Sequence, residues 1–256
     1  MTARGPGRAM VWSLLRLFTV QGSYDYERMQ GIGMGVAEEP LLRDLRAAGD
    51  GEPGGTAAYR AAVARGARFF NAHPYLCGLA VGAAARAEHE GVPAAHIERL
   101  RAALCGPLGS LGDRLVWVGW LPFTSGLALI GVALGLGLPA VLGFLLLYNA
   151  GHVALRWWAL RAGWAHGAQV AAALHEPLLQ RGASVAARAM ACVVGAALPL
   201  AARYLSGPFG GGSRVALAAV TAAGVGLLWW RRGQLTSLRF GLALLAVATL
   251  AGWLWR

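Results

Sequence analysis

The chain contains no lysine: all 23 of its basic residues are arginine. Charge of any kind is scarce, at 14% against about 25% in an ordinary soluble domain. Acid is scarcer still in one half. Residues 115–256 hold a single carboxylate, Glu176, against ten arginines, whereas residues 1–114 hold 13 arginines and 11 acids. Three cysteines, Cys77, Cys105 and Cys192, are odd in number and far apart, so no disulfide framework can be read from them. His73 and Cys77 are four apart, but two ligands do not make a metal site. Nor is a nucleotide loop present. The glycines of "GPLGSLGD" (Gly106–Asp113) are followed by no Lys-Ser/Thr pair, and "GIGMG" (Gly31–Gly35) misses the dinucleotide pattern. No cofactor is expected. A net charge of +11 raises the question of nucleic acid. The arginines, however, sit at the ends of apolar runs, where membrane anchoring puts them.

What the chain has instead is apolar length. It is 57% hydrophobic with a mean hydropathy of +0.50. The run Leu115 to Leu155 carries no Asp, Glu, Lys or Arg. About 20 apolar residues cross a bilayer core, so this run is long enough to cross twice. Shorter blocks follow at Ala189–Ala202, Val215–Trp230 and Phe240–Trp255. The expected fold is all-α: a polytopic membrane protein with about five crossings. Arginine bias places residues 1–114 in the cytoplasm and the C-terminus outside. The expected division is residues 1–114, with an amphipathic helix, cytoplasmic helices and a re-entrant hairpin region, and residues 115–256, a transmembrane helical region.

Within residues 1–114, Met10, Val11, Leu14, Leu15 and Phe18 form one helical stripe, as in a helix lying at a membrane surface. Helices are expected over Pro40–Gly49, from Thr56 as N-cap, and from Pro93 to a stop at Gly106-Pro107. "GDGEPGG" (Gly49–Gly55) reads as a loop. Between the second and third helices, "NAHPYLCGLAVGAAA" is apolar, broken by His73-Pro74 and too short to cross twice. Such a segment enters a membrane and turns back only where its broken backbone is buried or faces a polar cavity. The glycine-proline spacing of Gly106–Gly112 predicts a bend or unwound segment with a close backbone approach.

Four blocks now matter together: "QGSYDYERMQGIG" (Gln21–Gly33), "FFNAHPYL" (Phe69–Leu76), "GPLGSLGDRLVW" (Gly106–Trp117) and "LYNAGHVALRWWALRAGWAHG" (Leu147–Gly167). In this order and at these spacings they resemble the IID membrane subunit of the mannose/fructose/sorbose family of bacterial sugar phosphotransferase systems. The resemblance implies a multi-pass protein of the bacterial inner membrane, working in a hetero-oligomer with a IIC membrane subunit. Soluble IIA and IIB subunits would carry the phosphoryl group, and a hexose-class sugar would pass through IIC and IID. No catalytic residue is implied in this chain. The sequence departs from the family at Gly109-Ser110-Leu111, at Trp157-Trp158, at Ala159 and above all at Arg114, where proline is usual. An arginine pairing with Asp113 would favour a regulatory or scaffold member without transport. A metal-dependent membrane enzyme using His73, His89, His96 and Cys77 is the remaining alternative.

The candidate substrate-binding residues are Gln21, Asn71, His73 and Asp113, with Tyr75 as an aromatic face. Sugar hydroxyls both donate and accept, and amides and carboxylates can bridge two neighbouring ones. Polar groups left unpaired in an apolar setting cost ~2–7 kcal/mol, so these residues need partners. Each also has a structural alternative: Asn71 or Asp113 as a helix cap, His73 bonded to backbone at the break, Gln21 facing solvent. Glu27 and Arg28 read as an internal ion pair or an interface contact. Asn149, His152 and Arg156 share a helix face and either hold the core or line a subunit seam.

Overall fold

The computed structural model describes residues 7–47 and 57–205, all of whose regular elements are helical. Helix α1 spans Gly7–Leu17, α2 Gly31–Ala47, α3 Ala57–Gly66 and α4 Cys77–His89. Helix α5, Ala94–Gly112, continues without a break through a π-helical stretch, Asp113–Trp120, into α6, Leu121–Ala133. Helix α7 covers Leu138–His166; the backbone turns at Gly167 (φ +51°), and a 3₁₀ stretch, Gly167–His175, follows. Two further helices, α8 (Pro177–Gln180) and α9 (Gly182–Leu205), complete the described chain.

Helix α4 is the axis of a compact body. Cys77 to Ala85 and Ala87 are all buried. Its side chains are mostly alanine and glycine, which lets α7 come close. A Cβ on Gly78 would stand 2.8 Å from the Leu160 amide nitrogen, and one on Gly82 or Gly163 would strike the facing backbone. Small residues spaced this way are how helices pack when their backbones nearly touch. Helix α1 lays Met10, Ser13 and Leu17 onto this body and leaves Val11, Trp12, Leu15 and Phe18 exposed. It is amphipathic as expected, but Met10 turns inward while the apolar residues beside it face out.

The body is held by ion pairs. Arg65 bonds Glu88 at 2.6 Å, Arg16 bonds Glu39 at 2.6 Å, and Arg68 bonds Glu98 at 2.6 Å. Deepest is Glu38, paired with Arg101 at 3.0 Å while Arg101 also donates to the Gly66 carbonyl at 2.7 Å. Burial pushes the Glu38 carboxyl up to about 7, against the pull of Arg101.

Helices α6 and α7 leave the body as an apolar hairpin. Its turn uses Gly135 (φ +87°) and Gly137 (φ +55°), conformations that side chains disfavour. The charge-free arms, residues 115–133 and 138–155, are about 27–29 Å long at ~1.5 Å per residue, close to the ~30 Å bilayer core. Their outer residues are exposed and apolar: Leu134, Leu136 and Leu138 at the tip, and Leu142, Leu145 and Leu146 along α7. By length and composition, Ala94–Ala133 and Leu138–His175 both suffice to cross a membrane.

Several expectations change. The third helix does not stop or unwind at Gly106-Pro107: Pro107 lies inside α5. Proline is tolerated where neighbouring glycines relieve crowding, and the backbone adjusts by a π-helical stretch just downstream. The close approach is real, at Gly112. A Cβ there would collide with the His73 ring. Likewise Pro40 lies within α2 rather than opening it. The glycines of Gly31–Gly35 serve packing, since Cβ atoms at Gly31 and Gly33 would strike the backbones of Arg68 and Val20. The 49–55 loop, the Thr56 cap and the apolar blocks at 215–230 and 240–255 lie outside the described residues, and with the last two goes the count of five crossings.

Candidate functional site

The broken segment follows α3, and two short backbone bridges fix it. Met29 pairs with both Asp25 and Phe70, and the Gln30 amide donates to the Phe70 carbonyl at 2.9 Å. The buried Gln30 side chain then bonds both backbone groups of one residue, Ala72. Its Nε2 donates to the Ala72 carbonyl at 2.9 Å and its Oε1 accepts the Ala72 N–H at 3.3 Å. Here a glutamine replaces a β-strand neighbour, satisfying backbone groups that the break would leave unpaired.

This clamp forms one wall of a cavity of about 1010 Å³. The turn after α1 supplies Gln21 and Tyr24. The break supplies Phe69, Asn71, His73 and Pro74. A stripe of α5 supplies Cys105, Gly106, Gly109, Ser110 and Asp113. Gly106 and Gly109 have open space where a side chain would stand, so the missing side chains are part of the cavity. All four sequence-derived candidates, Gln21, Asn71, His73 and Asp113, line this single space. They come from three separate stretches of chain.

Their surroundings differ. Gln21, Asn71 and Asp113 are exposed, and none of their side chains makes a hydrogen bond to a described residue. Asn71 therefore caps no helix; α4 begins at Cys77 with Leu76 as its N-cap and no side-chain bond. Asp113 caps none either, because the helix passes straight through it. Arg114 is exposed and, among the described residues, pairs with no carboxylate, so Asp113 is left free. On a helix, adjacent side chains diverge by about 100°. His73 is buried, at 2% exposure. Its Nδ1 accepts the Tyr75 N–H at 3.2 Å, so a neutral ring carries its proton on Nε2. That Nε2 has no partner.

Tyr75 is not the aromatic face of the cavity. It stacks on His152 with ring centroids 3.8 Å apart, and its hydroxyl meets that of Tyr148 at 2.6 Å. The rings lining the cavity are Tyr24 and Phe69, both about half exposed. The sequence reading missed them, together with Gln30 and Ser110. Phe69 stood inside a block already singled out, and its outward position beside the buried Phe70 is the alternation a bridged strand imposes. Glu27 and Arg28 do not form an internal ion pair; both are exposed, and their N–H groups are held by Asp25 Oδ1 at 2.9 and 2.7 Å. Of the 149/152/156 trio, Arg156 and His152 hold the core, while Asn149 lines an apolar groove between α1 and α7. Among the described residues no three His, Cys, Asp or Glu side chains converge as metal ligands. His89 is engaged elsewhere, with Nε2 2.8 Å from the Leu41 carbonyl oxygen.

Residues 8–206 match the family model of the mannose/fructose/sorbose phosphotransferase system IID component. The chain belongs to this family. The sorbose-specific EIID component of Klebsiella pneumoniae is 32% identical over 184 residues, which cover 69% of this chain and 64% of that one. The mannose-specific EIID component of Escherichia coli K12 is 28% identical over 179 residues, 67% of this chain and 61% of its own. The chain thus spans less than two thirds of the length of the curated relatives it matches. Among solved structures, this IID-family chain is similar to the cryo-electron microscopy structure of the mannose transporter ManYZ with microcin E492. The TM-score is 0.56 at 25% identity, over 74% of this chain and 68% of that one. It shares its fold with a second membrane protein, at TM-score 0.67 and 20% identity, over 98% and 97% of the two chains. This chain is a membrane protein of the IID type.

Proposed function

We propose that this IID-family protein forms, with a IIC subunit, the membrane part of a sugar phosphotransferase permease, and that its cavity is a wall of the sugar path. In this reading it is a multi-pass protein of the bacterial inner membrane. Soluble IIA and IIB subunits deliver the phosphoryl group, and this chain does no chemistry. Gln21, Asn71 and Asp113 contact the hydroxyls of a hexose-class sugar, and His73 backs them. One observation carries the reading: three polar side chains with unused hydrogen-bonding capacity converge on one cavity at the root of the apolar hairpin. Amides and a carboxylate beside half-exposed aromatic rings suit a sugar, whose hydroxyls need polar partners and whose C–H faces need apolar ones. The wide, open space fits a site completed by a second subunit.

The scaffold reading drew on an Arg114–Asp113 pair, and the two residues stand apart as described above. The test is to purify the chain with a IIC subunit and titrate mannose, fructose and sorbose in turn. Asn71→Ala is expected to weaken the sugar that binds by about tenfold, the effect of losing one or two hydrogen bonds. Deleting the chain should abolish uptake-coupled phosphorylation in intact cells. Full retention of that activity would refute the proposal.

A further inference from the structure

Arg156 is a buried cation with no carboxylate partner among the described residues. It is 3% exposed. Its Nε donates to His152 Nε2 at 2.6 Å and its Nη1 donates to the Leu17 carbonyl. Its guanidinium contacts two rings, with Cζ 5.1 Å from the centre of Phe18 and 5.0 Å from that of Tyr75. A charge this deep is costly unless its surroundings use it. Here they are a helix-terminal carbonyl, which is the negative end of α1, and two aromatic faces, which attract cations.

These contacts lead to two walls of the cavity. Leu17 ends α1 and Phe18 follows it, four and three residues before Gln21. Tyr75 follows His73 by two residues and donates its N–H to His73 Nδ1. His73 in turn lies against Trp117, with centroids 5.3 Å apart, on the π-helical stretch that Asp113 opens. Gln30 holds the break at Ala72, and Arg156 contacts it at Tyr75. From this geometry we infer that Arg156 is a positioning residue, which sets the spacing between the turn carrying Gln21 and the break carrying Asn71 and His73. It touches no substrate. The inference rests on the sugar-cavity reading above.

Lysine cannot replace it, because a single ammonium lacks the planar delocalised charge that meets two rings and the fork that reaches two acceptors. The experiment measures sugar uptake-coupled phosphorylation by the assembled system, separating KM from Vmax. Arg156→Lys is expected to raise KM about tenfold and to leave Vmax within about twofold, since misplaced walls weaken binding. Gln21→Ala should raise KM in the native background and add less than about twofold in the Arg156→Lys background, because the turn is already out of register. Independent, multiplying effects would overturn the inference, as would a fall in Vmax at constant KM. Should Arg156→Lys fail to assemble, Phe18→Leu decides. It removes one ring and keeps the charge, and is expected to raise KM about threefold, the worth of one modest cation–π contact. An unchanged KM in Phe18→Leu overturns the inference. Asn71→Ala separates the two levels: if it leaves KM unaltered, the sugar-cavity reading falls; if it raises KM while Arg156→Lys does not, only the positioning role falls.

Discussion

The helical body and the apolar hairpin solve opposite problems. In the body, apolar side chains such as Phe70, Leu76 and Leu79 are fully buried and arginines pair with glutamates, from the buried Arg101–Glu38 to the exposed Arg68–Glu98. In the hairpin, leucines point outward and no charge occurs between Leu115 and Leu155. The body is built for water at its rim, and the hairpin for lipid around its length. The candidate cavity lies where the two meet, with Asp113 and Arg114 as the last charges before the apolar arms. That junction is the place where a polar cavity can be wet on one side and still open toward a membrane path.

The largest expected effect is in the body's interior. Glu38→Ala leaves Arg101 buried without its carboxylate, and stability should fall by about 3–5 kcal/mol. Thermal unfolding in detergent measures this. The sign of the pH dependence follows from the raised carboxyl. With a folded pKa of about 7 against an ordinary 4.5, the neutral form suits the fold better. This group's stabilising contribution is complete below pH 4.5 and is lost as pH rises through 7. Glu38→Gln keeps an acceptor for Arg101 and cannot ionise, so it should abolish that slope.

The second effect tests the hairpin. Leu146 is 75% exposed, and in water its replacement by arginine would be nearly neutral. In a bilayer core the same change costs about 2.5–3.5 kcal/mol of insertion free energy. A membrane-insertion assay on Leu146→Arg, beside Ala64→Arg on the exposed face of α3, reads the contrast directly. Equal tolerance at both positions would erase the distinction between the two regions.

Much of this was legible in the sequence, for identifiable reasons. The charge-free run revealed the hairpin because lipid tolerates so little charge. The break at His73-Pro74 showed itself because proline cannot sit quietly in a short apolar segment. Gln21, Asn71, His73 and Asp113 were picked out as polar residues beside apolar ones, and the structure brings them to one cavity. The continuity of α5 through Pro107 was not legible. Propensity weighs glycine and proline against a helix, but it cannot see the packing of Gly112 on His73 that holds the helix in place. Gln30 was hidden too, because its clamp joins residues 42 apart in the chain. Tyr75 misled because a ring next to a polar cluster does not reveal which way it turns.

The junction itself gives the third effect. Gly112→Ala drives a methyl group into His73 and should cost about 1–3 kcal/mol, while distorting the break that carries Asn71. Gly109→Ala, one turn away and facing open space, should instead stabilise α5 by about 1 kcal/mol. Its methyl group enters the cavity, so sugar affinity should change in a protein that is more stable. Unfolding and sugar titration of both variants separate the packing role of one glycine from the space-making role of the other.

The smallest effect is at the body's rim. Arg68 and Glu98 lie 2.6 Å apart with 63% and 37% of their side chains exposed. Water screens such a pair, and ordering two long side chains offsets most of the attraction, so Glu98→Ala should cost about 0–1 kcal/mol. The loss should shrink further as salt is raised. Arg68 stands immediately before the break, however, and its backbone packs on Gly31. A loss well above 1 kcal/mol that resists salt would mean that the pair anchors the break rather than decorating the rim. The body would then owe its hold on Asn71 and His73 to its surface charges as well as to its core, and unfolding of Glu98→Ala at two salt concentrations decides between the two.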